Sequence, residues 1–215
     1  MSDSRLRITE IFYSLQGETC TVGLPTVFVR LTGCPLRCRY CDTEYAFSGG
    51  QWMDFPAILS TIKDYRTPYI TVTGGEPLAQ PECLPLLVQL CDDGYQVSLE
   101  TSGAMPLEEV DPRVKKIMDI KTPDSAEVER NRWENLDCIS DKDQIKFVIC
   151  SEQDYLWSKQ QLESKSLHSM CEVLFSPSHE QLNPTQLADW ILRDQLPVRF
   201  QMQLHKVLWG NQPGK

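Results

Sequence analysis

Apolar, β-branched residues gather along the chain in short separated runs: TVFVRL at 26–31, YITVT at 69–73, QVSLE at 96–100, KIMDI at 116–120, QIKFV at 144–148 and EVLFS at 172–176. Each has the length and composition of a β-strand. Between several of them apolar residues recur at helical spacing, over 54–66, 82–93, 152–164 and 184–195. Strands alternating with helices predict parallel pairing through right-handed crossovers, hence an α/β fold. The stretch 101–115 holds two prolines and few apolar residues and is a poor helix. The pattern therefore predicts a partial, six-stranded barrel with incomplete helices. No repeat, linker or low-complexity segment interrupts it, and residues 1–215 read as one domain.

The polar residues that break this pattern fall at the ends of the runs. Thr73, Gly74, Gly75 and Glu76 close the second, Glu100, Thr101, Ser102 and Gly103 the third, Asp119 and Lys121 the fourth, and Ser176 the sixth. In parallel α/β proteins the site lies at the carboxyl ends of the strands. These residues are thus expected to converge on one rim.

Composition narrows the chemistry. With 21 Lys and Arg against 30 Asp and Glu the formal charge is −9, which argues against a nucleic-acid footprint and favours a small-molecule substrate. No apolar run approaches the roughly 20 residues of a membrane span. The start, MSDSRLRITEIFYSLQGET, lacks the basic and apolar regions of a secretory signal, so the expectation is a cytoplasmic protein. Nine cysteines without such a signal point to reduced thiols rather than a disulfide framework. Six of them (Cys20, Cys83, Cys91, Cys138, Cys150, Cys171) are scattered and read as core residues. The other three, Cys34, Cys38 and Cys41, form a CxxxCxxC loop directly after the first run. Three close thiolates suit a structural zinc if a distant fourth ligand arrives, and His168, His179 and His205 all lie far downstream. They better suit a 4Fe–4S cluster with one open iron, which could chelate the methionine end of S-adenosylmethionine, with unliganded thiols a third reading.

The triplet after a first strand resembles the signature of the radical S-adenosylmethionine superfamily, and TGGEP at 73–77 resembles its second motif. Within that superfamily, YSLQGE at 13–18, Arg30, CDT at 41–43 and QLHKVLWG at 203–210 resemble the 7-carboxy-7-deazaguanine synthase family, so the likeness spans nearly the whole chain. One departure is Thr19, which stands where members commonly carry Gly after LQGE.

The resemblance implies a partial TIM-like barrel of the radical SAM type and conversion of 6-carboxy-5,6,7,8-tetrahydropterin by radical ring contraction with loss of ammonia, in 7-deazapurine (queuosine) biosynthesis. It implies Cys34, Cys38 and Cys41 as cluster ligands and Thr43 as the Mg²⁺ ligand. S-adenosylmethionine would meet Tyr40, Asp42, Gly75, Ser102, Asp119, Ile120, Lys121 and Ser176. The pterin would meet Leu15, Gln16, Gly17, Arg30, Thr73 and His205, with Arg30 clamping its carboxylate and Gln16 reading its ring edge. Bland readings stand beside these: Arg30 in a structural ion pair, Asp119 and Lys121 paired with each other, Thr43 as a turn residue, His205 as packing. A homodimer fed electrons by flavodoxin or ferredoxin is the family expectation. Two rivals remain open on these residues, namely another radical S-adenosylmethionine enzyme such as a glycyl-radical activating enzyme, and a non-catalytic metal-binding module.

Overall fold

The computed structural model of the protein describes residues 4–212 and Gly214. All six expected strands form and pair in parallel: β2 (Pro25–Leu31), β4 (Tyr69–Gly74), β5 (Gln96–Thr101), β6 (Lys115–Ile120), β7 (Gln144–Ile149) and β8 (Glu172–Pro177). Three more were missed. β1 (Arg5–Leu15) pairs antiparallel with β2, β3 (Gln51–Asp54) pairs antiparallel with β1, and the two-residue β9 (Arg199–Phe200) extends β8. The order is β3-β1-β2-β4-β5-β6-β7-β8-β9, an open sheet that does not close on itself, as a partial barrel requires. The signal for β1 was present in Leu6 and Ile8, but a break in its alternation hid it.

Four helices lie where the periodicity placed them: α1 (Phe55–Lys63), α2 (Cys83–Asp92), α3 (Glu152–Ser164) and α4 (Pro184–Asp194). Local chemistry sets their starts. The Asp54, Ser151 and Asn183 side chains accept from backbone N–H groups of the first turns of α1, α3 and α4, relieving donors that have no intrahelical partner. The proline-bearing segment after β5 indeed forms no helix, and only short 3₁₀ turns link β6 to β7. Asn135 staples these two helix-poor segments: its amide donates to Gly103 and Met105 carbonyls at 2.9 Å, and its carbonyl accepts from Leu107 N–H at 3.2 Å. A short C-terminal helix, α5 (Leu204–Trp209), was not expected as an element.

All four long helices cover the same face of the sheet. Val27, Val29, Ile70, Val72, Val97, Leu99, Met118, Ile120, Ile145 and Phe147 from the strands pack there with Ile58, Leu86, Leu90, Tyr155 and Leu187 in one core. Because strand side chains alternate, the intervening residues must face the other way. Of the six scattered cysteines, Cys83 and Cys171 are buried in the core and Cys91 and Cys138 pack half-buried against it, as a core reading expects, while Cys150 is half-buried and Cys20 exposed.

The loop joining β1 to β2 carries Thr19, whose φ of 67° is left-handed, the conformation a glycine adopts freely. Gln201 fixes it there, accepting from Thr19 N–H at 2.8 Å and donating to its carbonyl at 3.1 Å. The departure from glycine therefore changes the side chain and leaves the backbone path intact, at a steric cost of about 1–2 kcal/mol. Thr19→Gly is expected to be more stable to urea than Thr19→Ala by about 1 kcal/mol, since both lose the hydroxyl and only glycine escapes the Cβ strain. An alanine variant equal to the glycine variant would contradict the left-handed backbone.

Candidate active site

The face opposite the helices opens on a cavity of about 490 Å³ at the carboxyl ends of the parallel strands, within the range of small-molecule sites. Period-two alternation fills its wall. Phe28 and Arg30 of β2, Thr73 of β4, Glu100 of β5, Ile117 and Asp119 of β6, and Lys146 and Val148 of β7 all line it. Ile120 lies one residue out of phase with Asp119 and is buried in the helix-side core, so it can offer a cofactor only its backbone. Ser176 pairs with Val148 on the cavity side of the sheet, but it is 1% exposed and is not among the residues lining the cavity.

The cysteine loop forms one side of the cavity, with Cys34, Cys38, Tyr40, Cys41, Asp42 and Thr43 on its surface. Backbone bonds hold it. Cys41 N–H donates to the Cys38 carbonyl at 3.1 Å, Arg39 N–H to Ser125 at 3.1 Å, and Glu76 N–H to Gly33 at 2.8 Å. Gly75 lies so close that a Cβ there would meet Gly33 O at 2.3 Å and Cys34 Cβ at 2.8 Å. Its glycine is thus required for the TGGEP turn to pass against the cysteine loop. The Glu76 carboxylate is wholly buried and accepts from Leu78 N–H, the Thr101 hydroxyl, and both the N–H and hydroxyl of Ser102. Ser102 therefore spends its proton on joining the ends of β4 and β5.

Burial raises all three thiols, Cys38 to about 11. Among the described residues no group of three or more His, Cys, Asp or Glu converges as one metal ion would need. A 4Fe–4S cluster would take one thiolate on each of three separate irons. Two features fit a cofactor beside it. The Tyr40 hydroxyl is buried with no hydrogen-bond partner among the described residues. Lys121 and Asp119 pair at 3.2 Å, as one reading anticipated, while still facing the cavity. Burial would lower Lys121, but Asp119, Tyr40 and Cys38 hold it above its ordinary range.

Opposite the cysteines, Leu15, Gln16, Gly17 and Glu18 meet the C-terminal segment. Leu204 N–H donates to the Gly17 carbonyl at 2.9 Å, and a Cβ on Gly17 would lie 2.2 Å from His205 Nδ1. Burial keeps His205 below its usual value despite nearby Glu18 and Asp42. Gln16 is committed rather than free: Nε2 donates to Thr71 at 3.1 Å and to Glu100 at 3.3 Å, and Oε1 accepts from Glu18 N–H at 3.1 Å. It orients Glu100, and little of it remains to read a ring edge.

Three charged residues given no role from sequence sit at the centre. Glu18 pairs with Lys146 and accepts from Gln203 Nε2 at 2.9 Å. Burial alone would raise Glu18, but Lys146, Gln203 and His205 hold it below the carboxylate range. Among the described residues Glu100 has no such paired cation. Burial pushes its carboxyl up, Glu18 adds to the rise, and Lys146 and Arg30 offset it only in part. A lysine and a glutamate in phase with the polar face of otherwise apolar strands were the available signals. Arg30 and Thr73 line the cavity as expected; Arg30 also pairs with Glu10 at 2.7 Å. Thr43 donates its hydroxyl to Asp42 at 2.7 Å, leaving its lone pairs accessible.

Known proteins supply the comparison. The radical SAM superfamily matches residues 28–130. A 7-carboxy-7-deazaguanine synthase of Chlorobaculum tepidum is 44% identical over 212 residues, covering 97% of this chain and 96% of its own. That of Koribacter versatilis is 42% identical over 219 residues, covering 95% and 97%. The solved structure of QueE from Escherichia coli superposes with a TM-score of 0.78 over 94% of this chain and 95% of that one, at 22% identity, a likeness of fold.

The raised Glu100 carboxyl fixes the sign of a pH effect. The folded chain keeps a proton that the unfolded chain loses near 4.5, so stability from this group is full below that value and falls as pH rises toward the raised folded value. The stability difference Glu100→Gln minus native is expected to grow in favour of the variant as pH rises from 4.5, then level off. Urea denaturation between pH 4.5 and 8.5 reads it, and a pH-independent difference would show that Glu100 ionises normally.

Proposed function

The chain belongs to the 7-carboxy-7-deazaguanine synthases of the radical SAM superfamily, and on that premise we propose that it converts 6-carboxy-5,6,7,8-tetrahydropterin to 7-carboxy-7-deazaguanine and ammonia. The observation that carries the reading is the single cavity in which the CxxxCxxC loop faces Leu15–Gly17, Arg30, Thr73 and His205. The family assignment sets aside both the glycyl-radical activating and the non-catalytic readings.

Cys34, Cys38 and Cys41 would hold the 4Fe–4S cluster, with S-adenosylmethionine beside it against Tyr40, Asp42, Gly75, Asp119 and Lys121. Together these groups supply hydrogen-abstracting radical chemistry when bound. The protein's part is orientation. Arg30 clamps the carboxylate of the substrate, and His205 closes the cavity over the Gly17 backbone. Lys146 and Gln203 hold Glu18 below the carboxylate range as an acceptor, whereas burial and the neighbouring Glu18 raise Glu100. The two carboxyls thus offer one pterin ring partners of different proton affinity. Thr43 would bind Mg²⁺ through a hydroxyl lone pair, the remaining ligands coming from water and substrate oxygens, with Asp42 alongside.

We further read residues 1–215 as one radical SAM domain of a cytoplasmic homodimer, reduced by flavodoxin or ferredoxin. Among the described residues no helix is long and apolar enough to cross a membrane, and Val207 and Leu208 on α5 give an exposed apolar edge available for self-association.

The test is anaerobic turnover of the reconstituted chain with reductant, S-adenosylmethionine and the carboxylated tetrahydropterin, read by mass spectrometry. Ring-contracted 7-carboxy-7-deazaguanine is the expected product; 5′-deoxyadenosine without it would reject the substrate. Thr43→Ala is expected to raise the Mg²⁺ needed for half-maximal turnover by about tenfold or more, and an unchanged Mg²⁺ response would remove the ion from Thr43.

A further inference from the structure

Arg30 does not stand alone on the cavity wall. A register shift between Ile8 and Glu10 inserts Thr9 as an extra residue in β1. Before the bulge, Leu6 and Ile8 point into the helix-side core. After it, Glu10 is paired directly with Arg30 and Phe12 with Phe28. Without the extra residue, Glu10 would share the core face of Ile8, where a carboxylate is costly. The bulge thus brings a carboxylate and an aromatic ring to the cavity side at the position of the arginine.

Three contacts then fix the guanidinium. Glu10 Oε1 accepts from Arg30 Nε at 2.7 Å. The Tyr45 hydroxyl donates to that same oxygen at 2.8 Å. The guanidinium carbon lies 5.5 Å from the Phe12 ring centroid and 5.8 Å from that of Tyr45, within cation–π range of both. Phe12 is itself held by stacking on Phe28 at 4.9 Å. Among the described residues the Arg30 guanidinium makes no other hydrogen bond, so none of them engages its two terminal nitrogens.

We propose that Glu10 and Tyr45 are positioning residues that hold Arg30 through Nε and so present its paired terminal N–H groups to the carboxylate of the substrate. An arginine free to rotate would lose rotamer entropy on every binding event, whereas one pinned at Nε and between rings has lost it already. Tyr45 is suited to the role because its hydroxyl donates to the Glu10 oxygen while its ring lies against the guanidinium. The inference rests on the reading of Arg30 as the carboxylate clamp.

The test compares 6-carboxypterin with pterin, which lacks the carboxylate, by fluorescence titration of reconstituted enzyme with S-adenosylmethionine bound. The ratio of the two affinities reports the clamp without turnover. Arg30→Ala is expected to erase the preference. Glu10→Ala and Tyr45→Phe are each expected to lower it by about three- to tenfold. Glu10→Gln should keep most of it, because both partners use one oxygen and an amide carbonyl can accept from both. In turnover the same losses should fall on KM for the carboxylated substrate, with kcat within about twofold. Loss with Arg30→Ala but retention in Glu10→Ala and Tyr45→Phe would overturn the proposal, as would a Glu10→Gln variant as impaired as Glu10→Ala. If Glu10→Ala does not fold, Tyr45→Phe and Glu10→Gln decide alone. A preference that survives Arg30→Ala would instead overturn the clamp reading itself, and this inference with it.

Discussion

A parallel sheet covered by helices on one face only has to divide its side chains between two environments, and alternation along each strand performs that division. In β7 the residues Ile145, Phe147 and Ile149 enter the core, while Lys146 and Val148 face the cavity. The same parity sets Val29 against Arg30 and Leu99 against Glu100. Burying the apolar set stabilises the fold at roughly 25 cal/mol per Å². That driving force fixes the register, and the register then aims the polar set with no further information needed. Site geometry is here a by-product of core packing.

Placing so many charges in one partly closed space demands pairing. Each central cation has an acidic partner close by: Arg30 with Glu10, Lys121 with Asp119, Lys146 with Glu18. Separating any of these pairs would leave a poorly solvated charge, which costs several kcal/mol. Among the described residues Glu100 is the central carboxyl without a paired cation, and burial beside Glu18 raises its proton affinity. The result is a cavity wall whose proton affinity differs from one carboxyl to the next, set by which of them has a lysine beside it.

The ends of the chain complete the site. The LQGE loop and the QLHKVLWG segment meet across it, joined by the Gly17–Leu204 backbone bond and the Glu18–Gln203 contact. Gln201 ties Thr19 into the same junction. This closure explains why motifs so distant in sequence act on one cavity, and why Gly17 must remain small against His205.

Much of this was legible in the residues. The six parallel strands and four long helices follow from apolar periodicity, because that periodicity is the driving force for burial. The spacing of the cysteine triplet marks a metal-binding loop, and its pairing with TGGEP was read from the resemblance to the radical SAM signature. What the sequence left open were features that depend on partners far along the chain. A single bulge at Thr9 scrambled the alternation of β1 and hid both the strand and the facing of Glu10. Gln16 looked free until Thr71 and Glu100 were brought to it, and only the phase relative to Asp119 shows that the Ile120 side chain enters the core and leaves its backbone alone to face the cavity side. Nothing near Glu18, Lys146 or Glu100 in sequence says which carboxyl is ionised. Local pattern determines which elements form, because its energetics are local. Only the tertiary structure decides which side chains are left uncommitted and which charges are neutralised, because hydrogen bonds and Coulomb forces depend on distance in space.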